Sequence, residues 1–211
     1  MDIELPELPF PLRTYGPDGH WSYEDGVLTG RAGPRQDRFV PPQALKEQGA
    51  PSGTALDPAS DAPRLLGVPE GDFQLLARVT VGLTAAGDAG VLYLHVGERE
   101  WAKLCLERSS DEPTVCTVVT RGRSDDANAF VVGGSTVWLR ISRTGSAFAF
   151  HASPDGEKWT FVRIFSLGDE ESAGAALVGF MAQSPLGDGC AVRYEDIEFR
   201  PSRPQGLRDG S

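Results

Sequence analysis

The sequence predicts a single all-β domain, a sandwich or barrel of short antiparallel strands. Three observations lead to this prediction. Apolar and polar residues alternate with period two along most of the chain, as in half-buried strands. Turn residues such as Asp25 and Gly26 separate these runs at regular spacing. Strong 3.6-residue helical periodicity is nearly absent, so the alternation is the dominant signal.

About ten strands are predicted along the chain. Asp25 and Gly26 predict the turn of the first hairpin, because both residues tolerate positive φ. The Pro-Asp-Gly sequence at 154–156 predicts another turn, since proline presets φ and glycine supplies positive φ. The strands and hairpins are predicted at residues 21–30, 72–81, 89–96, 101–108, 114–122, 136–145, 146–167, 175–184 and 190–200.

The domain organisation is predicted to be one domain over residues 1–200. Hydrophobic residues make up 40% of the chain, which is enough to form a core. Residues 41–63 are rich in Pro, Ala, Ser and Gly and predict a loop insert, either a lid over a site or a disordered segment. Residues 201–211 predict a flexible tail.

Charge and cysteine content exclude several classes of partner. A net charge of −10 argues against binding to nucleic acid or to anionic membranes, because a surface that binds either one needs clustered Lys and Arg. The acidic first ten residues do not resemble a secretory signal, and no apolar run reaches the length of a membrane span. Cys105, Cys116 and Cys190 are odd in number and form no C-x-x-C pair, so we expect free thiols in a reducing cytoplasm.

A series of short motifs resembles a known family. The motifs are DAGVL (88–92), WAKLCLE (101–107), SDDAN (124–128), SPDGEKW (153–159) and YEDIEF (194–199). In this order, over residues 9–199, they resemble the DUF1349 family, also called the family of regulation of enolase protein 1. The resemblance implies a concanavalin A-like lectin/glucanase fold, a jelly roll of two antiparallel sheets. It implies a fold rather than an activity.

In related lectins and glucanases the concave face of this fold holds sugar, so the same face is the implied site here. Alternation places aromatic and polar residues opposite the apolar row of each strand. Aromatic rings stack on sugar C–H surfaces while polar side chains bond to hydroxyls. If the rows share one face, the ligand-binding candidates are Tyr93, His95, Trp101, Lys103, Glu107, Trp138, Arg140, His151 and Gln183.

An alternative interpretation is that these rows form the solvated face that any antiparallel sheet presents. Two Trp and two His favour a site, because a solvated face rarely needs them. Glu107 with His95 or His151 would be the acid–base groups of an enzyme. The sequence carries no phosphate loop, H-E-x-x-H or G-x-S-x-G motif, and no cofactor is predicted.

The SDDAN segment is the weak candidate for a metal site, although no metal is predicted. Asp125, Asp126 and Asn128 offer the oxygen ligands that Ca²⁺ prefers. The alternative is a cluster of Asx turns that caps a loop.

Two further groups of charged residues could belong to a site. Glucanases of this fold place three acidic residues at alternate positions of one strand, whereas in the near match at 195–198 Glu195 and Asp196 are adjacent and point to opposite faces. A glucanase of that type is therefore not expected. Arg35 and Arg38 flank Asp37 and predict either a grip on a carboxylate, as on a uronic acid, or a surface ion pair.

Three functions follow as hypotheses. The first is a module that binds a carbohydrate or another polar metabolite without hydrolysing it. The second is an enzyme that acts on a sugar or metabolite through His and Glu. The third is a regulatory or scaffold protein that contacts a metabolic enzyme, as the family's name suggests. An exposed edge strand would also allow a homodimer by sheet extension.

Overall fold

The computed structural model describes residues 2–42 and 61–211. In chain order the strands are β1 (Asp2–Ile3), β2 (Leu12–Tyr15), β3 (Ser22–Glu24), β4 (Val27–Ala32), β5 (Arg64–Gly67), β6 (Phe73–Val81), β7 (Ala89–Gly97), β8 (Glu100–Ser109), β9 (Glu112–Arg121), β10 (Arg123–Val131), β11 (Thr136–Thr144), β12 (Ala147–Ser153), β13 (Thr160–Ser166), β14 (Leu177–Gln183) and β15 (Cys190–Arg200). One short helix, α1 (Glu170–Gly174), lies between β13 and β14 in the chain.

The strands form two antiparallel sheets, which confirms the predicted all-β sandwich. The eight-stranded sheet has the order β1-β2-β5-β14-β7-β8-β9-β10. The seven-stranded sheet has the order β13-β12-β11-β6-β15-β4-β3. Strands that follow one another in the chain, such as β6 and β7, therefore often belong to different sheets.

The core lies between the sheets and is built by alternate residues of each strand. Leu92 and Leu94 of β7 face Leu139 and Ile141 of β11 in one apolar cluster, and all four are fully buried. Burial of each such side chain contributes about 2 kcal/mol. The apolar rows predicted from alternation are the core rows, so the intervening residues point to the outer face of each sheet, away from the other sheet.

Local signals explain the turns and the helix. Asp25 and Gly26 have φ of 51° and 78° and join β3 to β4, as the sequence predicts. Asp169 caps α1 by accepting from the backbone N–H of Ser172, whose hydroxyl in turn accepts from the backbone N–H of Asp169. This reciprocal cap fixes the start of a helix that is too short to show periodicity.

Strand β10 differs from the sequence prediction, which places a loop at 124–128. It forms one edge of the eight-stranded sheet and pairs along its length with β9. Most of its side chains are exposed on both faces, so the apolar alternation that marks a half-buried strand is missing.

A short segment crosses the outer face of the eight-stranded sheet, and we call residues 36–40 the strap. Gln36 exchanges backbone hydrogen bonds with Ser184, just after β14. Val40 bonds through its backbone to Ser124 at the start of β10. The strap thus passes over β7, β8 and β9. Most of the loop insert predicted at 41–63 lies outside the described residues, since 43–60 are not among them.

Candidate functional site

Six of the nine predicted ligand-binding residues meet on the outer face of the eight-stranded sheet, beneath the strap. They are Tyr93, His95, Trp101, Lys103, Glu107 and Gln183. Directly paired residues of antiparallel strands point to the same face. Tyr93 pairs with Lys103 and His95 with Trp101, while Gln183 and Glu107 flank the same residue of β7.

Three rings form an aromatic row across β7 and β8. The ring centroids of His95 and Tyr93 lie 6.3 Å apart, and those of Tyr93 and Trp101 lie 5.9 Å apart. The rings are inclined by only 21° and 25°. Tyr93 and Trp101 are fully buried, whereas His95 is partly exposed. The row therefore opens to solvent at His95.

Two arginines lie over the rings of this row and share one carboxylate. The Arg38 guanidinium of the strap lies 5.6 Å from the Trp101 ring centre, and Arg64 lies 5.6 Å from that of Tyr93. Asp61 accepts from Arg64 at 2.6 and 2.9 Å and from Arg38 at 3.2 Å. Burial opposes ionisation of Asp61, but its bonds to Arg64 and Arg38 lower its pKa below the usual value.

Lys103 is the centre of a polar network that joins the strap to the sheet. Its Nζ donates to Asp37 Oδ1 at 3.0 Å and to Gln183 Oε1 at 2.8 Å. The Gln183 amide donates to Glu107 at 3.2 Å. Lys103 is only 2% exposed. Burial disfavours the charged amine, yet the nearby acidic groups, Asp37 foremost, raise the pKa of Lys103 above its usual value, so it stays charged.

The pKa values of Glu107 and His95, on the same face, are shifted as well. Burial raises the pKa of Glu107 to about 8 against the opposing charge of Lys103, so its carboxyl is mostly protonated at pH 7. Burial, together with the charges of Arg38 and Arg64, lowers the pKa of His95 to about 4. At neutral pH His95 is therefore uncharged, and Glu107 is able to donate a hydrogen bond.

Four buried polar atoms around the aromatic row have no hydrogen-bond partner within the described ranges. They are Tyr93 OH, Trp101 Nε1, Arg38 Nε and His95 Nδ1. Each unsatisfied buried group costs about 1–3 kcal/mol. The first three carry a hydrogen to donate, and the neutral imidazole carries one on either nitrogen. The arrangement can therefore bind a molecule rich in acceptor oxygens.

The other three predicted residues are on the opposite side of the molecule, so the expectation that all nine share one face is wrong. Trp138, Arg140 and His151 belong to β11 and β12, which are strands of the seven-stranded sheet. Their side chains alternate with core residues and point to the outer face of that sheet. Glu107 and His151 therefore cannot act as an acid–base pair in one site.

The structure does not bring the weak metal candidates together. Strand alternation sends Asp125 and Asp126 to opposite faces of β10. Asp125 pairs with Arg163 at 3.0 Å, and Asn128 exchanges hydrogen bonds with Ser109. Among residues 2–42 and 61–211, no group of three or more His, Cys, Asp or Glu side chains has metal-binding geometry.

Four site residues come from segments that sequence reasoning did not assign to the site. Arg38 and Asp37 of the strap are 4% and 8% exposed, and Asp61 and Arg64 enclose the row from the side of β5. The sequence did show a charged Arg-Gln-Asp-Arg run at 35–38. It gave no sign that this run is buried, because Arg38 contacts Glu98 and Asp37 contacts Lys103, which lie 60 and 66 residues away in the chain.

Comparison with known proteins identifies the family. The model of the DUF1349 family, described as a protein of unknown function, matches residues 15–202. The chain belongs to the DUF1349 family. A curated relative, "Regulation of enolase protein 1" of Saccharomyces cerevisiae, is 27% identical over 152 residues, covering 71% of this chain and 75% of that protein.

Solved structures confirm the jelly-roll fold of this DUF1349 protein. A functionally unknown protein from Saccharomyces cerevisiae superposes with a TM-score of 0.75 at 18% identity, covering 92% of this chain and 97% of that one. The GH43 BlXynB protein from Bacillus licheniformis gives a TM-score of 0.65 at 13% identity, covering 86% and 34%. At such low identity these similarities concern the fold alone. Within the described residues, no helix has the length and apolar character needed to cross a membrane.

Proposed function

We propose that this protein binds a small, oxygen-rich, negatively charged metabolite, with a sugar acid as its carbohydrate form, on the outer face of the eight-stranded sheet. The observation that carries the proposal is a group of four buried polar atoms around Tyr93 and Trp101 that have no partner among the described residues, three donors and the Nδ1 of His95. A ligand with several acceptor oxygens would satisfy them together. The partly exposed His95 marks the side from which the ligand would approach.

The charge of the face supports an anionic ligand. Arg38, Arg64 and Lys103 are cations held by the carboxylates of the buried Asp37 and the partly buried Asp61. Burial raises the pKa of Glu107 to about 8, so Glu107 adds little negative charge at pH 7. Glu98 reaches Arg38 at 3.4 Å but is 89% exposed, and solvent screens that pair. At the aromatic row itself, Arg38 and Arg64 share the carboxylate of Asp61, whereas Asp37 and Asp126 lie at the Lys103 end of the face, so the row carries more positive than negative charge.

The strap argues against a long polysaccharide. A lectin that binds an extended chain presents its tryptophans in an open cleft, whereas Trp101 is fully buried beneath Arg38. A compact ligand next to Tyr93 and His95 is therefore favoured over a polymer that runs along the sheet. No stretch of the sequence has three acidic residues at alternate positions, which agrees with binding rather than glucanase chemistry.

The test is a thermal-shift titration with glucuronate, glucose 6-phosphate and glucose. We expect the two acidic sugars to raise Tm by several degrees at concentrations where glucose has no effect. Arg64→Gln should abolish the shift, because Arg64 contacts Tyr93. Arg13→Gln is the matched control, since Arg13 is exposed and forms a solvent-exposed ion pair with Asp2 at 3.6 Å. Equal shifts for glucose and glucuronate would remove the charge argument.

A second candidate function is regulation of a metabolic enzyme, and the name of the yeast relative favours it. The two functions are compatible, because the binding of a metabolite can change the affinity of a protein for its partner. Analytical ultracentrifugation of this chain with purified enolase of the same organism tests the idea, with and without glucuronate. A complex supports the regulatory function, and two independent species at micromolar concentrations argue against it.

A further inference from the structure

A second buried polar row lies on the outer face of the seven-stranded sheet. Arg140, Ser142 and Thr144 occupy alternate positions of β11, and His151 pairs with Arg140 from β12. Arg140 is 2% exposed, and Ser142 and His151 are fully buried. Residues 203–211, which we call the tail segment, cover this row. The sequence predicts a flexible tail here, but Gly210 is buried against Arg140.

The charge of Arg140 is not matched by any carboxylate in the described part of the chain. Its Nη2 donates to the carbonyl of Gly210 at 2.7 Å, and its Nε has no partner. The guanidinium lies over the ring of Trp159, 4.2 Å from the centroid. Burial and the nearby charge of Arg200 lower the pKa of Arg140 to about 10. An anion at this position would accept a hydrogen bond from Nε and would favour the charged form of the guanidinium.

Arg200 of the same sheet shows which anion fits. Its Nε and Nη2 bind the two carboxylate oxygens of Glu198 at 2.5 and 2.9 Å. In Arg140, Nη2 donates to the single carbonyl oxygen of Gly210, and Nε has no partner among the described residues. A carbonyl oxygen satisfies one of these donors, whereas a carboxylate satisfies both in parallel.

Beyond Arg140, the row contains two hydroxyl groups that also lack hydrogen-bond partners among the described residues. These are the hydroxyls of Ser142 and Thr144. Alternate residues of a strand are about 7 Å apart, so the row spans about 14 Å. At its far end lies a cavity of about 540 Å³. The cavity is lined by Thr144, Arg203, Pro204, Gln205 and Leu207.

We propose that this face is a second binding site, for an elongated polyhydroxy carboxylate whose carboxylate binds Arg140 and whose hydroxyls bind Ser142 and Thr144. The carbonyl of Gly210 occupies the carboxylate position in this structure, so the tail segment competes with the ligand. The site is independent of the one beneath the strap, because the outer faces of the two sheets point in opposite directions.

The tail segment is built to act as such a competitor. It folds on itself, with Gly210 N–H donating to Gly206 at 2.9 Å and Gln205 N–H donating to Ser211 at 2.7 Å. The exposed Arg208 lies over Phe161 at 5.5 Å. Gly210 has φ of 74°, and a Cβ there would collide with Arg140 Nη2. A side chain at 210 should therefore displace the segment without altering the sheet.

The test is isothermal titration with gluconate on the full chain, in an Arg64→Gln background that silences the site beneath the strap. Gly210→Val and Arg208→Ala each loosen the tail segment. We expect gluconate to bind Gly210→Val at least tenfold more tightly than the parent and Arg208→Ala about threefold more tightly, because an exposed cation–π contact is weak, while uncharged glucitol does not bind. Gly134→Val is the matched glycine control, because a Cβ at Gly134 meets nothing within 4 Å.

Addition of Arg140→Gln to either loosened variant should abolish gluconate binding, and Ser142→Ala should weaken it about fivefold while leaving the fold intact. Near-UV circular dichroism verifies the fold of each variant. If Gly210→Val does not fold, Arg208→Ala decides. Gluconate affinity that is unchanged in the folded loosened variants, or that survives Arg140→Gln, would overturn the proposal.

Discussion

Lys103 Nζ of β8 lies 3.0 Å from Asp37 Oδ1 of the strap, and the pair is 66 residues apart in the chain. The Lys103 side chain is 2% exposed and that of Asp37 is 12% exposed. The pair therefore anchors the strap over the aromatic row of Tyr93 and Trp101. It also keeps a positive charge at the proposed binding face.

Asp37→Asn should destabilise the protein, because it leaves Lys103 buried without its counter-ion. Loss of one partner of a buried pair costs about 3 kcal/mol or more. Urea unfolding at pH 7 measures the change. The control is Asp125→Asn. The Asp125 side chain is 63% exposed, so its pair with Arg163 should contribute less than about 1 kcal/mol to the free energy of unfolding. Equal effects of both variants would contradict the anchoring role.

Glu107→Gln should remove a loss of stability that the parent protein shows as pH rises from about 4.5 to about 8. The folded-state pKa of Glu107 is raised to about 8. The stability that the protonated Glu107 carboxyl gives the folded state is therefore complete below pH 4.5 and is lost as pH rises through 8. At pH 9 the variant should be about 2–3 kcal/mol more stable than the parent. Unfolding measured between pH 5 and 9 tests this, with the exposed Glu112→Gln as control. Parallel pH profiles for parent and Glu107→Gln would disprove the shift.

His151→Gln should reduce the loss of stability in acid. Burial lowers the pKa of His151 to about 4, and the charge of Arg140 adds to this effect. The backbone of Leu207 and the charge of Asp209 oppose it but are weaker. The folded state thus binds fewer protons than the unfolded chain between pH 6.5 and 4, and stability falls as pH decreases through that range. Unfolding at pH 7, 5 and 4 should show roughly 2 kcal/mol less acid loss in the variant. The exposed His20→Asn should follow the parent, and a His151→Gln profile as steep as the parent's would contradict the prediction.

The sequence predicts the residue rows well and their grouping poorly. Period-two alternation separates Leu92 and Leu94 from Tyr93 and His95, because every second side chain points into the core. It cannot tell which sheet receives a strand. β11 pairs with β6 and β12 rather than with β8, so Arg140 leaves the face that holds Lys103. Sheet membership is fixed by packing between distant segments and has no local signal.

The strap residues illustrate the same limit. Arg38 and Asp37 stand in a charged, proline-flanked segment, which is the usual pattern of an exposed loop. They are buried because Tyr93, Trp101 and Lys103 lie beneath them, and those partners come from strands that begin 50 residues later. Recognition of the site from sequence would have needed knowledge that the strap crosses β8.

Tyr93→Phe tests whether the buried donors around the aromatic row bind an anionic metabolite. The change removes only a hydroxyl that has no partner among the described residues, so it should leave stability unchanged or raise it by about 1 kcal/mol. Isothermal titration with glucuronate should show binding to the parent protein and an affinity at least tenfold weaker for Tyr93→Phe. Equal affinities for the two proteins, or no binding to either, would contradict the account.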